Sequence, residues 1–198
     1  MLFRVHYFYG MERIKEYFKE IVDVDDDYWN IFFSKLVKRD FLKKSIILKA
    51  GQVENYLSFI EEGILRFYII RENNDLTYEF SFDNEFSSSY DSFLNQSPSE
   101  YHVQVLADTT LWSITHADLQ ELYANTSIGN LLGRLAAEQL FMRKVKRELS
   151  LLNNTAEERY LKLFTDRPRL IKQIPLKYIA SYIGVTPQAL SRIRRRVS

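Results

Sequence analysis

Cysteine is absent from the chain. Its absence excludes disulfides, thiolate catalysis and cysteine-ligated iron–sulfur clusters, and it fits residence in the cytoplasm. Histidine is scarce: His6, His102 and His116 are the only three, and their positions have no metal-ligand spacing. No apolar run approaches the length of a membrane span. Met1 to Tyr9 also lacks the long apolar stretch and small-residue cleavage site of a secretory signal, so no membrane partner is expected. Excess charge is missing as well. A formal net charge of +1 does not mark the molecule as a whole for a polyanionic partner.

What the chain does have is apolar bulk. Its 198 residues are 46% hydrophobic and 15% aromatic, enough to bury one good core and a small second domain. Its basic charge is local, in Arg192, Arg194, Arg195 and Arg196 near the end, with no acid among them.

Those arginines close a stretch that reads as two short helices around a glycine. Leu176, Ile179, Ala180 and Ile183 repeat at helical spacing, and Ala180 is small enough for a second helix to cross closely. Gly184 supplies the left-handed backbone that ends a helix and allows a sharp turn. Thr186 and Pro187 start the next helix, the threonine as a cap and the proline as its first residue. Ala189, Leu190 and Ile193 are expected inward, which leaves Gln188, Ser191, Arg192 and Arg195 outward. Those side chains suit base edges and phosphates in a major groove. The plainer reading is a helical hairpin with a solvated basic end.

Earlier in the chain, Glu12 to Val22 has helical periodicity through Ile14, Tyr17, Phe18 and Ile21, and Met11 is a candidate natural start. Asp23 to Asp27 precedes a second helix carrying Tyr28, Trp29, Phe32 and Phe33, where acids suit the N-terminus. The run Asp23-x-Asp25-x-Asp27 suggests a calcium loop. Tyr28 stands where the turn glycine belongs and Ser34 where the bidentate glutamate belongs, so calcium is rejected. From Ser45 to about Ile114 the period is two. Short strands are expected at 46–48, 57–60, 64–70, 77–82, 103–106 and 110–114, divided by turns that include Glu61-Glu62-Gly63. They read as a small antiparallel sandwich or barrel. A short helix follows from His116. A long one then runs from Ser127 to about Leu152, with an apolar row of Leu131, Leu135, Met142, Val145 and Leu149 that needs a partner, its own sandwich or a second copy. Thr155 to Glu158 is a capping box opening the next helix.

This order of sandwich, long helix and helix-turn-helix, with Phe59 to Arg66 and Ile179 to Arg194 as its most specific stretches, resembles the Crp/Fnr family of bacterial transcription regulators. The expected fold is α+β: N-terminal helices over 1–44, an antiparallel β jelly roll or sandwich of the cyclic-nucleotide-binding type over 45–126, a long dimerisation helix over 127–153 and a helix-turn-helix domain over 154–198. The resemblance implies a homodimer through the long helix, double-stranded DNA with a two-fold site, and RNA polymerase as a further partner. Carried over by position, Pro187, Gln188 and Arg192 stand where the family reads bases; proline cannot hydrogen-bond a base, so readout falls on Gln188 and Arg192. Gln188 suits adenine and Arg192 guanine, Ser191 assists, and Lys177, Thr186, Arg194, Arg195 and Arg196 suit phosphates.

The effector stretch departs from the family. Where cyclic-AMP-binding members carry Gly-Glu and then Arg-Ser, this chain has Ser88-Ser89 and Glu100-Tyr101. An acid in place of the arginine repels a phosphate. The expectation is therefore no cyclic AMP and no cofactor, with Glu85, Ser88, Ser89 and Tyr101 as candidates to line a pocket for an unknown small-molecule effector. Haem through His102 or His116 is the remaining cofactor reading, against an ordinary structural role for each. The rival function is a small-molecule sensor or cupin-like enzyme on the same sandwich. Such an enzyme needs clustered histidines and a carboxylate, and only His102 and His116 lie near the sheet.

Overall fold

The computed structural model describes residues 2–19, 26–72 and 74–197. In chain order the elements are α1 (Leu2–Lys19), α2 (Asp26–Ser34), β1 (Val37–Phe41), β2 (Ile46–Leu48), β3 (Tyr56–Ile69), β4 (Leu76–Phe82), β5 (Phe86–Ser87), α3 (Tyr90–Asn95), β6 (His102–Thr115), α4 (His116–Asn125), α5 (Ser127–Asn153), α6 (Ala156–Asp166), α7 (Pro168–Gln173), α8 (Leu176–Tyr182) and α9 (Pro187–Val197). Two compact units result. One comprises Met1–Phe67 and Phe80–Ala137, the other Tyr68–Glu79 and Glu138–Ser198.

The first unit is the antiparallel β-sandwich with its flanking helices. Its six strands are hydrogen-bonded in the order β1-β6-β3-β4, with β2 against β6 and β5 against β3. Strand β1 pairs antiparallel with β6, Val37 opposite Ser113 and Phe41 opposite Thr109. Its sequence, Val-Lys-Arg-Asp-Phe, lies largely exposed and lacks the alternation that marks a half-buried strand. Two expected turns are not turns. Glu61-Glu62-Gly63 lies within the continuous 14-residue β3, and the segments at 103–106 and 110–114 are one strand, β6.

Gly63 explains the first of these differences. It has φ +123°, and a Cβ there would stand 2.1 Å from Thr109 Oγ1 and 2.8 Å from the Thr109 Cα. A residue without a side chain lets β3 pass close to β6 with left-handed backbone while the strand continues.

The core forms where helices cover the sheet. Ile14 and Phe18 of α1, Trp29, Phe32 and Phe33 of α2, Phe59 of β3, Phe93 of α3, Trp112 and Ile114 of β6 and Leu119 and Leu122 of α4 form one apolar cluster. Trp112 is fully buried and donates its indole N–H to the Glu61 carboxylate at 2.8 Å, which satisfies both polar groups inside the core. Arg13 of α1 donates to the Glu61 carbonyl and pairs with Asp83 at 3.4 Å. Gly10, one residue before Met11, lies so close to Trp112 that a Cβ would come within 2.2 Å of the indole nitrogen. Asp26 and Asp27 occupy the first turn of α2 as expected; Asp23 and Asp25 lie outside the described residues.

In the second unit α6 opens on the expected capping box, Thr155 with Glu158. The helix α7, which the sequence pattern did not separate from its surroundings, begins on Pro168.

Gly63→Ala is expected to destabilise the chain by about 2–4 kcal/mol, because the new methyl meets backbone and the φ is strained. Equilibrium urea unfolding checks this, and a wild-type midpoint would contradict it.

Candidate nucleic-acid interface

The turn between α8 and α9 positions the candidate reader. Gly184 adopts φ +77°. The Val185 N–H reaches the Ala180 carbonyl at 2.9 Å and the Gly184 N–H the Ser181 carbonyl at 3.1 Å. This paired arrangement satisfies the last carbonyls of α8 and directs the chain into a new helix. The Ala189 N–H then donates to the Thr186 hydroxyl at 3.2 Å, so the threonine caps α9 as the sequence indicated. Ile179, Ala180 and Ile183 of the first helix and Leu190 and Ile193 of the second are buried. Leu176 is not inward as expected but exposed; Tyr182 takes the buried place instead.

At 100° per residue, Leu190, Ile193 and Val197 lie on one side of α9, and Gln188, Ser191, Arg192 and Arg195 on the other. All four of those outward residues are exposed. Arg194 and Arg196 fall on the flanks, and Arg196 forms an ion pair with Glu157 of α6 at 3.1 Å. Lys177 is exposed on α8, its ammonium 4.8 Å from the Tyr178 ring centroid.

Sequence reasoning missed the side chains that hold this helix pair in place. Arg159 of α6 donates through Nε to the Ile183 carbonyl at 2.9 Å and through Nη1 to the Asn154 carbonyl, tying the turn to the start of its own helix. The Tyr182 ring lies 3.9 Å beneath the Arg147 guanidinium, and its hydroxyl accepts from Arg167 at 3.1 Å. Burial raises the Tyr182 phenol above its ordinary range. The one available signal was the three-residue step from Ile179 to Tyr182; nothing in the sequence marks Arg147 or Arg159.

On α5, Phe141, Met142, Leu149 and Leu152 are exposed, while Leu131 and Val145 are half-buried. The Leu135 side chain lies outside the described residues. Phe141, which joins the row one residue before Met142, was not among the expected residues.

The candidate effector residues are engaged by other groups of the same unit. Glu85 accepts the Phe82 N–H at 3.1 Å, and Ser88 donates to the Tyr56 carbonyl at 2.9 Å. Buried Ser89 donates to buried Ser99 at 2.9 Å, Ser99 in turn donates to the Tyr101 carbonyl, and the Tyr101 hydroxyl donates to Asp91. Glu100 is exposed. The Glu54 carboxylate accepts the Tyr56 N–H at 3.0 Å and is also hydrogen-bonded by the Ser89 amide at the head of α3; burial outweighs these contacts and raises its pKa above 4.5. His102 accepts the Ala50 N–H through Nδ1 at 3.4 Å, and His116 packs edge-on to Phe93 at 5.2 Å. Among the described residues no three histidine or acidic side chains form a metal-sized group, and no helix is long and apolar enough to cross a membrane.

Residues 38–126 match the family of the cyclic nucleotide-binding domain. Among solved structures, FixK2 from Bradyrhizobium japonicum is similar at TM-score 0.71 and 14% identity, covering 82% of this chain and 84% of its own. A protein described as a transcriptional regulator of the Crp/Fnr family, from Eubacterium rectale, is similar at 0.69 and 17%, covering 91% and 87%. The chain shares the fold of these structures. A third similar structure, the c-di-GMP-responsive global regulator CLP of Xanthomonas campestris, has TM-score 0.66 and 15% identity and covers 87% of this chain and 91% of its own. No curated protein sequence matches. The departures noted in the sequence acquire a physical form: the Ser88 hydroxyl bonds to the Tyr56 carbonyl of β3 and the Ser89 hydroxyl to Ser99.

Glu54 provides a pH test of that loop. Its folded-state pKa lies above the ordinary 4.5, so the folded chain binds its proton more tightly than the unfolded chain. The associated stability is full at low pH and is lost as pH rises from 4.5 through the raised value. Relative to Glu54→Gln, wild type should lose stability over that interval and none above it, as read from urea midpoints between about pH 4 and 8. A constant difference between the two would contradict the assignment.

Proposed function

We propose that this chain is a homodimeric, sequence-specific DNA-binding transcription regulator whose sandwich does not take cyclic AMP. The observation that carries the proposal is the outward row Gln188, Ser191, Arg192 and Arg195 on a helix whose turn, cap and buried face are all formed. Gln188 and Arg192 supply bidentate donors and acceptors for adenine and guanine. Arg195, Arg194, Lys177 and Thr186 supply affinity through phosphates without sequence information. The exposed apolar row of Phe141, Met142, Leu149 and Leu152 favours pairing with a second copy, which would set two recognition helices about 34 Å apart for a two-fold site.

The already-bonded hydroxyls of Ser88 and Ser89 and the exposed Glu100 support the loss of cyclic AMP binding, since none of them offers a cation to a cyclic phosphate. Titration calorimetry with cyclic AMP should give no saturable heat. Two of the similar structures carry the names of regulators, which favours regulation over cupin-type catalysis. Such a regulator works in the cytoplasm with RNA polymerase as its downstream partner, and any effector it uses is a molecule other than cyclic AMP.

Selection from a randomised duplex library by the ligand-free chain should enrich two inverted half-sites about one helical turn apart. Arg192→Ala should cost about 1–3 kcal/mol at one base pair, whereas Arg195→Ala should weaken all sequences alike and lower the salt dependence. Equal losses on selected and random DNA for both variants would sink this division of roles. Met142→Glu combined with Leu149→Glu should convert the chain to a monomer in sedimentation equilibrium; an unchanged mass would exclude α5 as the interface.

A further inference from the structure

One arginine of the sandwich is held by aromatic rings and leaves its donors unspent. Arg39 lies in β1 directly opposite Leu111 of β6, with Val37 opposite Ser113 and Phe41 opposite Thr109. Leu111, Ser113 and Thr109 are buried, whereas Trp112, opposite Lys38, belongs to the cluster under the helices. Residues paired across strands share a face, so Val37, Arg39 and Phe41 turn away from the helices, toward the other side of the sheet. Ser58 bonds to Ser113 at 2.8 Å, which puts Ser58 and, two residues earlier, Tyr56 on that same side.

The Arg39 guanidinium stands over the Tyr56 ring, 4.2 Å from its centroid, and over the Phe41 ring at 5.0 Å. Ring faces attract the cation and fix its plane, so little freedom is left to lose when its edge is engaged. Among the described residues none of its N–H groups meets an acceptor, and the Tyr56 hydroxyl makes no hydrogen bond either. The Glu54 carboxylate is near enough to feel the charge of Arg39, yet it accepts the Tyr56 N–H at 3.0 Å and the Ser89 amide instead and forms no ion pair with the arginine. Both Arg39 and Tyr56 are half-buried, so the guanidinium edge and the phenol stay within reach of a solute.

An edge of a guanidinium presents two parallel N–H groups, which match the two oxygens of a carboxylate in one plane. The neighbouring phenol adds a third donor. Val37, half exposed, and Phe41 extend the same side of β1 with apolar surface, suited to the body of a ligand whose acid end is on Arg39. One cation beside the Glu54 carboxylate suits a single negative charge; a doubly charged phosphate would meet twice the repulsion.

We propose that Arg39 and Tyr56 form a binding site for a small monocarboxylate with an apolar body. The proposal rests on the reading of the sandwich as one that does not take cyclic AMP, and it gives that sandwich a ligand class.

Nuclear magnetic resonance on the full chain, with benzoate as the probe, tests the site. Benzoate should shift the Arg39 Nε–H and the Val37 and Phe41 amides saturably, with a dissociation constant on the order of 1 mM for so small a ligand. Benzamide, which has the same shape without the charge, should leave them unmoved, and phenyl phosphate should bind more weakly than benzoate. Arg39→Lys keeps the charge and loses the fork, so it should weaken benzoate by about tenfold, and Tyr56→Phe by about threefold, both with the circular dichroism of wild type. No saturable shift at these residues, equal shifts with benzamide, phenyl phosphate as tight as benzoate, or undiminished binding in both variants would each overturn the proposal. Cyclic AMP added to the same sample judges the underlying reading separately. Saturable shifts with it would defeat the loss of cyclic AMP binding, while the benzoate result alone decides the Arg39 site.

Discussion

The α8–α9 pair depends on one reversal of the chain at Gly184. A left-handed residue there lets α8 hand its last carbonyls to Gly184 and Val185 and lets α9 begin two residues later. With the chain reversed there, Ala180, which has almost no side chain, and Leu190 are both buried. Close crossing directs the apolar side of α9 inward and leaves its polar row to solvent. Arg159 then fixes the turn from below through the Ile183 carbonyl, so the orientation of the polar row follows from backbone contacts more than from the arginines it displays.

The sandwich solves a different problem, the burial of polar groups. Ser58, Ser87, Ser89, Ser92, Ser99 and Ser113 are all buried, and their hydroxyls bond chiefly to one another or to nearby carbonyls: Ser58 with Ser113, Ser87 with Ser81, Ser89 with Ser99. A buried hydroxyl without a partner is costly, and reciprocal pairs remove that cost without any outside molecule. The loop that resembles a phosphate cassette is thus ordered by its own side chains. Glu54 adds a carboxyl group at the Ser89 amide, so that donor at the head of α3 already has an acceptor within the chain.

Much of this was legible in the sequence where one residue type does one job. Gly184, Thr186, Pro187 and the Thr155–Glu158 box each have a local meaning that tertiary context does not alter, and the structure places all of them as read. Where the meaning depends on a distant neighbour, the pattern misled. Gly63 looks like a turn after two glutamates until Thr109 occupies the space its side chain would fill. Leu176 looks inward by periodicity, yet Tyr182 is the buried residue because Arg147 and Arg167 enclose it. Strand β1 carries no alternation because it lies largely exposed, and the partners of Ser181 are more than 100 residues away in sequence.

The placement of the two tryptophans has an optical consequence. Trp29 and Trp112 are the only ones in the chain, both are buried, and both belong to the unit built on the sandwich. The unit that carries α9 has tyrosine as its aromatic chromophore, including Tyr160, Tyr178 and Tyr182. Indole emission is therefore an intrinsic report on the sandwich alone, from a chain that also lacks cysteine and so accepts a single introduced thiol label in the helical unit without removal of any native one. Two colours, one native and one attached, would follow the two units separately in the same sample.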